Sequence, residues 1–437
     1  MGNDGVSMSL LSNTADAFLD QSFSIHSLKQ LIQRKDYGRW PELTSDAAEK
    51  FTLEQAEALA HDGFGTRNPL TTSKTRGKAI YQPASFADVL VLRKLRSNIQ
   101  RFVPDVLPSR HFIVTNMIHC LSEGVAYRLY RLDVESFYES ISIAGVLKKV
   151  KELQGLSTLS KNLCAEVLAL HSNSGVTGVP RGVPLSATLA ELMMSQFDRE
   201  MALRAGVYLY YRFVDDIFIL TNREENKVRF LHQISQELPS SLKFHLHKRA
   251  VCEVAKLPKK ITAIASSSFA FNYLGYEFRV QPPASPGQDA RQHRRLVEID
   301  IADSKIRKIK TKIVLAFCAF AASGDFELLR LRIKYLTANM RIKDFYRNTY
   351  KLSGIYFNYP NLTSHRSPGL LALDRFLANA VASDKGRLFS RTAVMLSTAR
   401  KAAISRYSFV RGYEKRCFYH FPVHQIRRIL RCWTHDL

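Results

Sequence analysis

The sequence has no apolar run long enough to cross a membrane. The longest run, Ile313 to Ala322, has about half of the ~20 apolar residues that a transmembrane helix requires. The N-terminal segment also lacks the basic start and apolar centre of a secretory signal. We therefore predict a cytoplasmic protein with no membrane partner.

Cysteine is scarce, and no two cysteines form a C-x-x-C pair. No set of Cys and His residues has the spacing of zinc ligands, which argues against a zinc-binding domain. The sequence therefore predicts reduced thiols rather than a disulfide framework. The cysteines are Cys120, Cys164, Cys252, Cys318, Cys417 and Cys432.

Acidic residues are outnumbered by basic ones. The 437 residues include 63 Lys and Arg against 39 Asp and Glu, which gives a formal net charge of +24. Such an excess repels itself unless a polyanion offsets it, and nucleic acid is the commonest such partner. With 46% hydrophobic residues, the chain can still build the cores of two or three domains.

Hydrophobic periodicity divides the chain into three predicted regions. Residues 1–70 form a helical extension, 71–298 a mixed α/β domain, and 299–437 a basic helical region. The middle region contains a predicted helix and, near its end, a hairpin with a long Pro/Gly-rich tip. The helical segments that we predict are FADVLVLRKLRSNIQRFV, SKIRKIKTKIVLAFCAFAA, FELLRLRIKYLTANMRIKDF and SRTAVMLSTARKAAI, and the hairpin strands are YEFRV and RLVEID.

Asp133 lies inside a strand-like run, YRLYRLDVESFYESI. Aspartate is depleted in strands, and an unpaired buried carboxylate is costly. An aspartate in such a run lies near a strand end, pairs with a base or binds a metal ion. Taken alone, the segment favours a salt bridge.

Asp215 and Asp216 are flanked on both sides by aromatic and β-branched residues in VYLYYRFVDDIFIL. Two apolar strands joined through an acidic pair predict a tight hairpin with the carboxylates at its tip. Adjacent like charges favour a nearby cation, so the segment indicates a metal site, with a plain Asp-Asp turn as the alternative.

A loop rich in glycine and proline, SGVTGVPRGVP, precedes a predicted helix. Gly178 and Gly182 allow the backbone to approach another molecule closely, although an ordinary loop before a helix fits this segment in isolation. The apolar stripe of the helix predicts a buried face. Its members are Leu185, Leu189, Leu192, Met193 and Phe197.

Taken together, the three segments indicate one kind of chemistry. Two-metal phosphoryl transfer needs carboxylates from separate strands that hold two ions roughly 3.5–4 Å apart. Asp133 and the pair Asp215–Asp216 supply such groups from two strand elements. Hard oxygen ligands of this kind suit magnesium.

The order and spacing of these segments resemble reverse transcriptases. In that family an Asp is followed five residues later by an aromatic residue, here Asp133 and Tyr138, which implies that Tyr138 selects deoxynucleotides. The family's G-x-P-Q-G motif corresponds to residues 178–182. Its aromatic-x-Asp-Asp motif corresponds to residues 213–216. The match extends over roughly residues 70 to 280 and is specific as a set.

The resemblance implies a fold, an activity and cofactors. The fold would be α+β, a right-hand polymerase with fingers and palm in 71–298 and a helical thumb or extension in 299–437. The activity would be RNA-directed DNA synthesis from deoxynucleoside triphosphates with two Mg²⁺ ions, for which Mn²⁺ could substitute. The implied metal-site residues are Asp133, Val134, Asp215 and Asp216.

The resemblance also assigns binding residues. Lys248, in LKFHLHK, would act near the leaving pyrophosphate. The nucleotide-binding set is Lys74, Arg76, Lys78, Val134, Tyr138, Arg181 and Gly182. The primer grip, in FNYLGYEF, is Tyr273, Leu274 and Gly275. For the cations between 74 and 78, a solvated basic loop is an equal alternative.

Three residues depart from the family pattern: Arg181 replaces Gln, Glu191 stands where Asn is common, and Phe213 replaces Tyr. They leave the carboxylates intact but change how template and nucleotide are gripped. A lone polymerase with a helical extension resembles bacterial defence-associated and abortive-infection reverse transcriptases, most of all the type 3 defence system. That implies a non-coding RNA template, a companion reverse transcriptase, a higher-order oligomer and an antiphage role in a bacterial cytoplasm.

Three alternatives remain at the level of sequence. One is an RNA-dependent RNA polymerase, against which Tyr138 argues because it would exclude a 2′ hydroxyl. Another is a template-free or protein-primed DNA polymerase. The last is a nucleic-acid-binding scaffold with an inactive palm, against which the complete carboxylate set argues.

Overall fold

The chain divides into two compact units in a computed structural model. The structure describes residues 20–33, 36–38, 40, 43, 45–75, 77–103, 108–257, 268–282, 294–344 and 349–433. The first unit comprises Met1–Leu107 and Ala126–Ala255, and the second comprises Pro108–Val125 and Lys256–Leu437.

Helices and strands alternate in the first unit, and helices dominate the end of the second. The helices are α1 (Ile25–Lys29), α2 (Asp46–Asp62), α3 (Phe86–Gln100), α4 (Arg110–Ser122), α5 (Phe137–Ser140), α6 (Ile143–Glu152), α7 (Thr158–Ser172), α8 (Pro184–Leu203), α9 (Lys227–Glu237), α10 (Asp303–Ser323), α11 (Phe326–Thr337), α12 (Ile355–Asn358), α13 (Pro368–Ala382), α14 (Gly386–Met395), α15 (Thr398–Ser405), α16 (Phe409–Glu414) and α17 (Val423–Leu430). The strands are β1 (Leu70–Thr75), β2 (Lys78–Pro83), β3 (Tyr127–Asp133), β4 (Val207–Phe213), β5 (Asp216–Thr221), β6 (Ala250–Val254), β7 (Phe269–Tyr273), β8 (Tyr276–Gln281), β9 (Leu296–Ile301), β10 (Asn339–Asp344) and β11 (Thr349–Gly354).

The central sheet of the first unit has the order β4-β5-β3-β6, and each neighbouring pair is antiparallel. Its two central strands, β3 and β5, are buried along most of their length. Leu132, Ile217 and Ile219 belong to the same buried core as residues of α3 and α8. Because α8 and α3 pack against each other and α8 also packs against β4, the sheet is supported from one side by a helical layer.

Local sequence explains the two helices that support the sheet. Ser85 begins α3 with a capping box, in which Ser85 and Asp88 satisfy each other's backbone N–H groups. Pro184 occupies the first turn of α8, where its missing N–H costs nothing. The apolar stripe of α8 is buried as predicted, with Leu189 fully inaccessible to solvent.

The second unit combines a three-stranded sheet of order β7-β8-β9 with the helices from α10 onward. Helix α10 packs against α11, α13 and α14. A separate antiparallel pair, β10–β11, follows α11. A bridge between Asn339 and Phe418 brings the segment after α16 alongside β10.

The predicted α+β fold is confirmed, with local corrections. The basic stretch at residues 71–83, which we did not predict as extended, forms the hairpin β1–β2. The helix predicted over FELLRLRIKYLTANMRIKDF ends at Thr337, and its last residues form β10. The helix predicted over SRTAVMLSTARKAAI is broken at Leu396, and Ser397 caps the helix that follows. β-Branched residues and a serine cap outweigh helical periodicity there.

The compact units do not coincide with the three predicted regions 1–70, 71–298 and 299–437, which describe functional parts and stay predictions. The division places residues 256–298 and the helix α4 with the C-terminal unit. In the part of the chain that the structure describes, no helix is long and apolar enough to span a bilayer. The tip of the hairpin β8–β9 lies outside the described residues.

Candidate active site

The predicted carboxylates meet at one end of the central sheet. Asp133, the last residue of β3, lies directly opposite Asp216, the first residue of β5. Asp215 occupies the turn between β4 and β5, and its carbonyl accepts a 2.9 Å hydrogen bond from the N–H of Val134. The turn is tight because Val214 adopts a left-handed conformation, with φ of 61°. The structure therefore brings the three aspartates together, as the sequence predicts.

Two of the three carboxylates contact cations from the same unit. The Lys248 Nζ atom lies 2.9 Å from Oδ1 of Asp133. The guanidinium of Arg131 contacts Asp216 through Nε at 3.1 Å and Nη2 at 3.2 Å. Lys248 reaches Asp133 because the chain after α9 returns beside β3, where the N–H of His245 donates to the carbonyl of Asp133.

Burial disfavours the ionised form of two of the three carboxylates. Burial raises the pKa of Asp215, and the nearby charge of Asp133 raises it further. Burial also raises the pKa of Asp216, although Arg131 acts in the opposite direction. An added cation would relieve both effects, since it favours the ionised carboxylates.

The donor chemistry of the cluster fits a hard divalent ion. Asp133, Asp215 and Asp216 offer carboxylate oxygens, and Val134, which follows Asp133 in the chain, has a backbone carbonyl. In the present arrangement, no group of three or more His, Cys, Asp or Glu side chains in the described ranges is placed so that it could hold an ion. The four metal-site residues therefore remain a prediction.

A buried ion-pair network supports the turn from behind. Arg212 of β4 is only 3% exposed. Its guanidinium contacts Glu191 and lies 2.6 Å from Asp198, both on α8. It also donates to the carbonyl of Val214 at 3.0 Å. Burial alone would lower the pKa of Arg212, but hydrogen bonds with Asp198 and Glu191 raise it overall, so the residue stays charged.

The glycine-rich loop packs tightly against backbone on two sides. A Cβ atom at Gly178 would lie 2.3 Å from the carbonyl oxygen of Tyr138, and φ there is 76°. A Cβ atom at Gly182 would lie 2.8 Å from the carbonyl oxygen of Tyr81 in β2. Only glycine fits either position without movement. The predicted close approach is thus to this chain's own backbone.

The guanidinium of Arg181 forms an ion pair with an acidic side chain. Its Nε and Nη2 atoms each donate at 2.7 Å to the carboxylate of Glu139. Its guanidinium lies 5.4 Å from the ring centre of Tyr138, within cation–π range. Hydrogen bonding with Glu139 raises the pKa of Arg181. The arginine that departs from the family motif therefore holds the residue beside Tyr138.

The remaining predicted residues lie in two separate places. Lys74 and Lys78 lie on the hairpin β1–β2, whereas Arg76 is outside the described residues. The loop carrying Arg181 bonds this hairpin, because the N–H of Tyr81 donates to the Arg181 carbonyl at 2.8 Å. The predicted primer grip belongs to the second unit.

The segment assigned to the primer grip forms a tight hairpin. Tyr273 pairs with Tyr276, and between them Leu274 and Gly275 have φ of 49° and 80°. Two left-handed residues match a right-twisted two-residue hairpin. Tyr273 is buried, with 1% exposure, whereas Leu274 and Gly275 are partly exposed.

Sequence reasoning missed the residues that hold the carboxylates in place. Arg131 and Arg212 alternate with apolar residues in β3 and β4, and a cation at a core-facing position was a usable indication of a buried partner. Glu191 stood out only as a departure from the family pattern. Its role became visible when α8 was seen to pack against β4.

A family model matches the part of the chain that contains the candidate site. Residues 87–278 match the family model of reverse transcriptase (RNA-dependent DNA polymerase). The matched range contains the aspartates, the glycine-rich loop and the primer-grip hairpin. No curated protein matches the sequence.

Similar solved structures include telomerases of two Candida species, each 12% identical to this chain. Apo telomerase of Candida tropicalis, truncated from its C-terminal domain, has a TM-score of 0.35, with 58% of this chain and 60% of that chain covered. Candida tropicalis telomerase with a fragment of telomeric RNA has a TM-score of 0.37, with 85% and 62% covered. The Candida albicans counterpart has a TM-score of 0.30, with 91% and 57% covered. The chain thus spans about 57–62% of the length of these telomerase chains.

Proposed function

Because residues 87–278 match the reverse transcriptase family model, we propose that this chain is an RNA-directed DNA polymerase. The observation that carries the proposal is the register of the central sheet. It sets Asp133 opposite Asp216 and places Asp215 in the adjoining turn. Three carboxylates at one sheet end suit phosphoryl transfer far better than they suit fold stability.

Asp133, Asp215 and Asp216, with the backbone of Val134, are the proposed ligands of two Mg²⁺ ions, for which Mn²⁺ could substitute. Bound there, the ions would supply the charge that activates a primer hydroxyl and neutralises a triphosphate. Arg212 and its acidic partners keep the Asp215 turn in position through the Val214 carbonyl. Lys248, whose Nζ atom lies 2.9 Å from Asp133 Oδ1, would protonate a leaving pyrophosphate.

Substrate selection is proposed for the neighbouring elements. Tyr138 would stand under the sugar of a deoxynucleoside triphosphate and exclude a 2′ hydroxyl. Lys74 and Lys78, on the hairpin β1–β2, would neutralise its phosphates together with Arg76. Arg181 and Gly182 would shape the pocket between that hairpin and α5. The turn from Tyr273 to Gly275 would position the primer strand.

RNA template and DNA product are the proposed partners. Their support is the strongly basic second unit, whose helices offer cations to phosphate. The resemblance to type 3 defence systems motivates a finer hypothesis: a non-coding RNA template, a companion reverse transcriptase and an antiphage role in a bacterial cytoplasm.

A scaffold with an inactive palm is the second candidate. One observation favours it. Lys248 contacts Asp133 and Arg131 contacts Asp216, so these two carboxylates already have cationic partners. An ion would have to compete with those cations. A template-free or protein-primed polymerase would share the same site and differ only in its product.

Sequencing the nucleic acid that copurifies with the wild type and with Asp215→Ala/Asp216→Ala separates these functions. We expect new DNA complementary to a bound RNA in the wild type, and the RNA alone in the variant. DNA without a matching template would indicate template-free or protein-guided synthesis. The same RNA in both preparations, without DNA, would support the scaffold.

A further inference from the structure

The second unit contains a pocket that the polymerase site does not use. Its volume is about 260 Å³, and Arg406, Tyr407, Arg411 and Tyr419 contribute to its lining. The residues that line it come from the end of α11, the connection between α15 and α16, α16 itself and the segment after α16. The pocket lies wholly within one compact unit.

The walls of this pocket are fixed by buried contacts. Gly412 in α16 presses against α11 so closely that a Cβ atom there would lie 1.8 Å from the carbonyl oxygen of Thr337. Asn339 is fully buried, and its side-chain amide donates to the Gly412 carbonyl at 2.9 Å. The backbone of Asn339 also pairs with the carbonyl of Cys417 and the N–H of Tyr419. The pocket is therefore preformed.

The pocket has the charge of an anion site. Arg406 and Arg411 are exposed, and among the described residues neither takes part in a salt bridge. No residue that lines the pocket carries a carboxylate. Asp374, which accepts from the Ser408 hydroxyl at 2.6 Å, is also held by the backbone N–H groups of Phe409 and Val410. That carboxylate is thus committed to capping α16.

The pocket also offers aromatic surface. Tyr407 and Tyr419 are half-buried and contribute rings to its lining. The Lys334 ammonium lies 3.8 Å from the ring centre of Tyr419, which fixes that ring and adds a third cation nearby. Cations beside aromatic rings are the combination by which proteins hold single-stranded nucleic acid, through phosphate contacts and base stacking.

The volume of the pocket indicates whether it binds a whole free ligand or only one part of a longer ligand. Small-molecule and cofactor sites usually enclose roughly 300–1,000 Å³. At about 260 Å³ and open to solvent, this pocket is too small to enclose a whole cofactor but can take part of one nucleotide. We propose that it holds part of one nucleotide of a single-stranded RNA, with the base stacked on the face of Tyr419 opposite Lys334 and the flanking phosphates at Arg406 and Arg411.

This proposal does not depend on catalysis, so binding can be measured without turnover. Fluorescence anisotropy of a labelled 12-nucleotide single-stranded RNA would be followed with the full chain in EDTA, over a range of salt concentrations. The variants are Arg406→Ala/Arg411→Ala, Tyr419→Ala and Tyr419→Phe. Arg387→Ala/Arg391→Ala is the matched control, because it removes the same charge from exposed positions of α14 that do not line the pocket.

The two kinds of contact predict different losses. Arg406→Ala/Arg411→Ala should weaken binding about tenfold and lower the salt slope by about 1.4, since each phosphate contact to a single strand contributes ~0.7. Tyr419→Ala should weaken binding about fivefold or more with an unchanged slope, because a stacked base is worth about 1–3 kcal/mol. Tyr419→Phe should bind like the wild type, which separates loss of stacking from loss of folding.

Three results would overturn the proposal. Equal losses in the arginine double variant and in the α14 control would mean that only bulk charge matters. If Tyr419→Ala binds the RNA with wild-type affinity, the base does not stack on Tyr419. Displacement of the RNA by adenosine monophosphate at low concentration would identify a site for a free nucleotide instead.

Discussion

The two compact units differ in how their charged side chains are arranged. Residues 1–107 and 126–255 contain 29 Lys and Arg against 26 Asp and Glu, a net charge of +3. Residues 108–125 and 256–437 contain 34 against 13, a net charge of +21. In the first unit, described cations such as Arg212, Arg131 and Arg181 contact carboxylates around the site.

The difference shows that the excess positive charge of the chain belongs to one unit. In the first unit, opposite charges position side chains, and burial makes their geometry specific. In the second unit, arginines such as Arg406 and Arg411 project toward solvent, where they can neutralise phosphate. The near-neutral unit carries the proposed chemistry, and the basic unit carries the proposed grip on nucleic acid.

The largest expected effect is on stability, from the buried arginine of the first unit. Arg212→Leu leaves Glu191 and Asp198 without their cation, and we expect a loss of about 3–5 kcal/mol in the free energy of unfolding. Urea denaturation followed by circular dichroism measures it. The matched change in the basic unit, Arg387→Ala, should stay within about 0.5 kcal/mol. Similar losses in both variants would erase the contrast between the units.

The next effect concerns substrate selection. Arg181→Ala frees Glu139 and removes the cation beside Tyr138, so the ratio of deoxynucleotide to ribonucleotide incorporation should fall about tenfold, or about 1.4 kcal/mol. Single-nucleotide incorporation with each substrate measures the ratio. The exchange Arg181→Glu/Glu139→Arg should restore part of it, since the ion pair is rebuilt. A ratio unchanged by Arg181→Ala would show that the pair is only structural.

The smallest expected effect is on RNA affinity, and it compares the two units. Arg307→Ala/Lys308→Ala on α10 should weaken RNA binding several-fold and flatten its salt dependence, because both residues are exposed on the basic unit. Lys148→Ala/Lys151→Ala on α6 removes equal charge from the first unit and should change affinity less than about twofold. Titration of a labelled RNA at several salt concentrations compares them. A larger effect from the α6 pair would place the RNA on the other unit.

The sequence predicted those parts of the site that depend on neighbours along the chain. The hairpin that carries Asp215 and Asp216 follows from strand residues on both sides of an acidic pair. The buried stripe of α8 follows from helical spacing. The turn at Leu274 and Gly275 lies in the segment that the resemblance to reverse transcriptases assigned to the primer grip. Each is determined within about a dozen residues.

What the sequence did not predict depends on packing between distant segments. Lys248 contacts Asp133 across 115 positions, and Arg181 contacts Glu139 across 42. Such contacts depend on strand order and helix placement, which periodicity does not specify. The strand β10 was mistaken for helix because its residues continue the helical pattern of α11. The sequence also did not predict that α4 belongs to a different compact unit from the residues before and after it.

Extension of a DNA primer on a defined RNA template tests the central claim most directly. The wild type and Asp215→Asn, which keeps the side-chain shape but removes the charge, would be supplied with deoxynucleotides and Mg²⁺ at equal RNA occupancy. We predict template-directed extension by the wild type and loss of extension, by several orders of magnitude, in the variant with RNA binding retained. Equal extension by both proteins, or none by the wild type on any RNA template, would contradict the polymerase assignment.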